Sequence, residues 1–109
     1  MSVILESASI SDVGQIPTSF AMHQNFPNPF NPTTIVRYDL PEDGLVNIIV
    51  YDMMGRIIRT LVNDYQSSGY KTVQWDATND FGNPVSAGVY LYQIHADSYT
   101  QTKKIILLK

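Results

Sequence analysis

The chain contains no cysteine, which excludes a thiol nucleophile, a CxxC redox pair and a cysteine-based zinc site. Histidine is almost as scarce: His23 and His95 are the only two, far apart in the sequence. Neither has the short-spaced companions of a zinc site, nor a nucleophile placed for a Ser-His-Asp arrangement. Charged residues make up 16% of the chain, with a net charge of −3; the concentrated basic face of a nucleic-acid binder is missing. Apolar runs are short, Ile105–Leu108 ending after four residues, whereas a membrane-spanning helix needs about 20. No integral membrane segment is expected. The opening Met1–Glu6 has neither a basic n-region nor a long apolar stretch, so any export signal is expected elsewhere. Paired carboxylates in a catalytic pattern are also lacking, and the expectation is a non-enzyme without metal or cofactor.

What the sequence does hold is β patterning. Its 109 residues, 44% of them hydrophobic, suit one domain with one core. Thr33–Leu40 alternates, placing Thr34, Val36, Tyr38 and Leu40 on one face. Leu45–Met53 is rich in β-branched residues, and Met53-Met-Gly-Arg56 reverses the chain at Gly55. Arg56–Val62 is read as the returning strand; its Ile57, Ile58, Leu61 and Val62 also fit a short helix. Tyr70–Trp75 and Val89–Ala96 alternate again, separated by a loop of turn formers, Asp76–Gly88. Tyr99–Leu108 supplies a final strand. Phe20–Phe30 is expected to add a short edge strand, stopped by Pro27, Pro29 and Pro32 because proline cannot donate to a ladder. About seven strands with frequent turns predict an all-β, immunoglobulin-like antiparallel sandwich. Residues 1–16 are weakly patterned and read as a linker or the tail of a preceding domain, leaving 17–109 as the domain.

Most candidate residues have an ordinary structural reading. Phe26 and Phe30 are expected to plug one end of the sandwich, with the prolines guarding an edge. Asp76 and Asp80 are expected to accept loop N–H bonds as Asx turns in preference to binding calcium. Trp75, which shares a face with Val73, is assigned to the core over a sugar-stacking platform with Tyr90 and Tyr92. The terminal Lys103-Lys104-Ile105-Ile106-Leu107-Leu108-Lys109 is apolar on both faces, more than a one-sided sandwich strand needs. It fits a central strand, a recognition element, or both.

Several strings then recur in a telling order. Gln24-Asn25-Phe26-Pro27-Asn28-Pro29-Phe30-Asn31-Pro32-Thr33-Thr34 comes first, then Tyr38-x-Leu40-Pro41 and Val50-Tyr51-Asp52-Met53-Met54-Gly55-Arg56. Gly69-x-x-x-Val73-x-Trp75-Asp76, Gly88-Val89-Tyr90-x-Tyr92 and the terminal lysine-flanked block follow. Together they resemble the type A C-terminal sorting domain of the type IX (Por) secretion system, over about residues 20–109. The Trp75-to-Tyr90 portion also resembles the immunoglobulin-like domain of flagellar hook-capping proteins. The resemblance implies a non-catalytic domain joined to an N-terminal cargo, which crosses the periplasm and reaches the outer-membrane surface or the medium. It implies as partners the outer-membrane translocation machinery and a surface sorting peptidase, with Lys103–Lys109 as the part tied to recognition. Because Met1 opens a chain that lacks a cargo domain, Met1 is expected to be an addition and residues 2–16 to be left over from a longer parent. The alternative is an accessory immunoglobulin-like module, carbohydrate-binding in one form, on a secreted surface enzyme.

Overall fold

The computed structural model describes residues 16–108. The linker assigned to residues 1–16 therefore lies, but for Ile16, outside the described residues, as does Lys109. Seven strands form: β1 (Ala21–Met22), β2 (Thr34–Leu40), β3 (Gly44–Asp52), β4 (Ile57–Gln66), β5 (Gly69–Trp75), β6 (Gly88–Ala96) and β7 (Tyr99–Leu107). They make two antiparallel sheets, ordered β1-β2-β5 and β4-β3-β6-β7. The all-β sandwich expected from the alternating sequence is therefore present.

Alternation sets which face is buried. Thr34, Val36, Tyr38 and Leu40 of β2 point inward, facing Val46, Ile48 and Val50 of β3 and Tyr90, Tyr92, Ile94 and Ala96 of β6. Because side chains of a strand alternate in direction, these positions share the core while their neighbours face water. Burying each such large apolar side chain contributes roughly 1.5–3 kcal/mol. The segment expected as strand or short helix over Arg56–Val62 is strand from Ile57, and β4 runs on to Gln66. Two register shifts in its pairing with β3, at Ile48/Ile49 and Val50/Tyr51, absorb residues that simple alternation does not accommodate.

The turn between β3 and β4 has a clear chemical cause. Gly55 takes φ +85°, a conformation that costs glycine little. Asp52 then accepts the N–H groups of Met54 and Arg56, each at 2.9 Å, and Arg56 Nε donates back at 2.7 Å. The Arg56 N–H, foremost among these donors, holds the Asp52 carboxyl below its ordinary range.

Trp75 is 1% exposed. Its ring lies 5.4 Å from those of Phe30 and Tyr90, edge-on to the latter, and its indole N–H donates to Thr78 O at 2.9 Å. Tyr90, near the start of β6, donates its hydroxyl to Ser86 O, an arrangement matching the tyrosine corner of immunoglobulin-like sandwiches. The loop after Trp75 is fixed differently from the expectation. Asn79 Oδ1 caps Phe81 N and Asn83 N, both at 3.0 Å. Asp80 Oδ1 instead accepts from Thr60 N of β4 at 2.8 Å, and Asp76 accepts the Thr78 hydroxyl. The carboxylates thus tie the loop to the sheet and to itself, and only the asparagine makes the turn.

Trp75→Ala is expected to cost about 3–5 kcal/mol, since it removes a fully buried ring and leaves a cavity. Urea unfolding checks this; an unmoved midpoint contradicts the indole's burial.

Candidate functional site: the edge of the terminal strand

β7 is an edge strand. It pairs with β6 alone in the strand order, so the central position considered for it is not the one it takes. Its apolar character on both faces has another cause. Ile105 and Leu107 enter the core, while Ile106 is half-buried on the outer face opposite Val89. Leu108 and Lys104 are exposed, and Lys103 is half-buried beside Tyr92 at the rim.

Strand geometry divides the backbone groups of β7 by residue parity. Odd-numbered residues bond to β6. Even-numbered ones turn outward, as the partners of Lys104, Ile106 and Leu108 demonstrate. Gln24 Nε2 donates to Lys104 O at 2.8 Å, and Ile106 N donates to Asn28 Oδ1 at 3.0 Å. Phe30 N donates to Ile106 O, and Leu108 N to Phe30 O, both at 2.9 Å. Phe30 and Leu107 form a parallel bridge. The asparagine-proline segment and the terminal strand therefore form one seam.

That segment holds the short edge strand expected within Phe20–Phe30 before Pro27. Only Ala21–Met22 is strand, paired with β2. His23 N still reaches Arg37 O, and Phe26 bridges Ile35. Past Pro27 the chain leaves the β2 sheet and arrives at the β7 edge. Asn25 shapes this passage from a buried position: its Nδ2 donates to Pro27 O at 3.1 Å and to Thr34 Oγ1 at 2.9 Å. The Thr34 hydroxyl also donates to Pro27 O, at 2.8 Å. Phe30 is 1% exposed and packs on Trp75, whereas Phe26 is 78% exposed. One phenylalanine plugs the sandwich; the expectation for the other is overturned, because Phe26 pairs with Ile35 and shares its solvent-facing side of the small sheet.

Among the family-motif residues, Asn25, Asn28, Phe30, Trp75 and Tyr90 thus gather around the end of β7. Gly88 joins them in register opposite Leu107 with φ +150°. Pro27, Pro29, Asn31 and Pro32 are exposed along the segment. Gly55 and Asp76 serve the separate turns described above.

Two residues play parts in the seam that the sequence reading did not assign. Gln24 stands at the head of the motif but carried no role. Tyr92 points into the core, where a hydroxyl needs a partner. It donates to His23 O at 3.0 Å and accepts from Asn25 N at 2.8 Å, pinning the segment from below. Trp75, Tyr90 and Tyr92 are all buried, so they form no platform on which a sugar can stack.

The class of protein this defines is a small two-sheet β-sandwich closed on one side by the seam between its asparagine-proline segment and its terminal strand. The chain belongs to the secretion system C-terminal sorting domain family, which matches residues 24–108. It is a C-terminal sorting domain of the type IX (Por) secretion system. Among solved structures it is similar to dimeric latent PorU from Porphyromonas gingivalis, at 22% identity and TM-score 0.66, over 87% of this chain and 10% of PorU. PorZ, a surface component of the type IX system of the same organism, is similar at 17% identity and TM-score 0.55, over 94% of this chain and 13% of PorZ. The hook-capping protein FlgD from Xanthomonas campestris is similar at 20% identity and TM-score 0.54, over 84% of this chain and 63% of FlgD. At such identities the likeness concerns the fold. The chain spans only about a tenth of PorU. Comparison with curated proteins yields no match.

Burial pushes the Tyr92 phenol up from 10.0 to about 12, against the opposing bond from Asn25 N–H. Folding therefore favours the neutral phenol. That stabilisation is fully present below pH 10.0 and is lost as pH rises through about 12. The melting temperature is expected to fall across this window, and Tyr92→Phe to flatten the fall. Part of it remains, since Tyr38 is raised as well by burial. An equally steep fall in the variant contradicts the assignment.

Proposed function

We propose that the folded sandwich is read by the outer-membrane translocation machinery at the β7 edge, through Lys103–Lys109 and the adjoining Asn25–Pro32 segment. As a type IX sorting domain it interacts with the secretion machinery, and its cargo goes to the cell surface or the medium. In this reading the cargo precedes residue 17 in the chain, crosses the periplasm with the domain attached, and meets a surface sorting peptidase after translocation. The observation that carries the reading is the seam itself. The motif segment and the terminal block, widely separated in sequence, meet along one strand edge. Recognition rather than chemistry is the mechanism: the apolar residues hold the strand in the fold, and its exposed groups are left for a receptor.

The lysines separate these two roles. Lys104 is exposed and Lys103 half-buried; among the described residues neither joins an ion pair. Changing Lys103, Lys104 and Lys109 together to alanine is expected to shift unfolding by only about 0.5 kcal/mol per site or less. The same change is expected to reduce export of a periplasmic reporter fused to residues 17–109 in a type IX host. Fractionation reads export, and circular dichroism with thermal melting reads the fold. A folded triple variant exported normally removes the lysines from recognition. An unaltered fusion retained in the periplasm overturns the sorting role for this chain.

A further inference from the structure

The seam covers only part of the β7 edge. Phe30, Asn28 and Gln24 take the outward groups of Leu108 and Ile106 and the carbonyl of Lys104. Upstream, strand parity turns the N–H and C=O of Thr100 and Thr102 the same way, and both residues are exposed. Among the described residues no backbone group pairs with these outward positions. The neighbouring segment runs past them with its own backbone committed elsewhere: Ala21 and Met22 pair with β2, and His23 N bonds Arg37 O.

An uncovered run of alternating donors and acceptors is a template for an extended chain. This protein already uses the same edge in that way where Phe30 bridges Leu107 in parallel. Its other long edge is less suited, because β4 is bent by the two register shifts in its pairing. Charge narrows the occupant. Lys103 and Lys104 border the open stretch on its two faces, so carboxylates on an incoming strand meet unpaired ammonium groups on either side.

We propose that the β7 edge from Tyr99 to Lys104 takes an extended acidic segment of the translocation machinery as an added strand. The inference rests on the sorting role and specifies how the partner is held. Gln24 and Phe30 fix the limit of the added strand, since their bonds already occupy the edge from the Lys104 carbonyl onward. The segment is consequently short, and its binding weakens as salt rises.

Proline substitution isolates the edge. The N–H of Thr102 faces away from β6, so Thr102→Pro removes an outward donor and leaves the ladder whole, as edge strands tolerate. Lys103→Pro removes a ladder donor and is the unfolding control. Thr102→Pro is expected to melt near the unaltered domain while its fused reporter loses export by about tenfold or more, the equivalent of roughly 1.4 kcal/mol. Normal export by folded Thr102→Pro overturns the added strand while leaving the sorting role intact, provided the unaltered fusion is exported.

Amide hydrogen exchange on the unaltered chain decides the matter whether or not the variant folds. Thr100 and Thr102 are expected to exchange fast and Gln101 and Lys103 slowly. Outer-membrane vesicles from a type IX host are expected to slow Thr100 and Thr102 at low salt. Slow exchange in the free chain, or no slowing with vesicles, overturns the inference.

Discussion

Closing the side of the sandwich between β2 and β7 is the constraint on which the rest of this structure depends. Two stacked sheets have two open sides. On one, the short Gln66–Gly69 link carries the chain directly from β4 to β5. On the other, no hairpin joins the sheets among the described residues, and residues 20–30 do the work by lying across both. Tyr92 is the pivot, its hydroxyl bonded to the backbone at His23 and Asn25. Phe30 is the plug, set against Trp75. A buried phenol with both hydrogen bonds satisfied tolerates its burial. One left unpaired costs about 1–3 kcal/mol.

This arrangement bears on the sorting role. The strand at the C-terminal end of the described residues is held along its length by β6 and, from Lys104 to Leu108, by a segment near the opposite end of the chain. A receptor that reads the strand's edge, as proposed, meets a strand whose Ile105 and Leu107 are anchored in the core. The exposed prolines of the segment add no N–H groups to this border and so offer little to an unwanted strand.

Much of the fold was legible because strand burial has a period of two. The inward positions of β2 and β6 follow directly from the alternation of Val36, Tyr38 and Leu40 and of Tyr90, Tyr92 and Ile94. Strand β4 was legible only in its first half. Its later residues, Asn63 to Gln66, carry no apolar alternation, and the two register shifts that precede them opposite Ile48–Tyr51 are announced by no local pattern. Whether β7 lay at the centre or the edge was not legible either. Strand order is a long-range property, and an edge strand covered by another segment carries the same apolar residues as a central one. Phe26 and Phe30 have identical side chains four residues apart, and only the chain's path past Pro27 decides that one is buried. The candidate site was legible as two motifs, and their meeting was not.

The central claim is that the Asn25–Pro32 segment and the terminal strand form one cooperative unit. A double-mutant cycle measures this most directly, with Phe30→Ala, Leu107→Ala and the pair compared by urea unfolding. Residues sharing such a contact couple by about 0.5–3 kcal/mol, and the account predicts a coupling of about 1 kcal/mol or more for this pair. Additive losses, with the coupling near zero, contradict it.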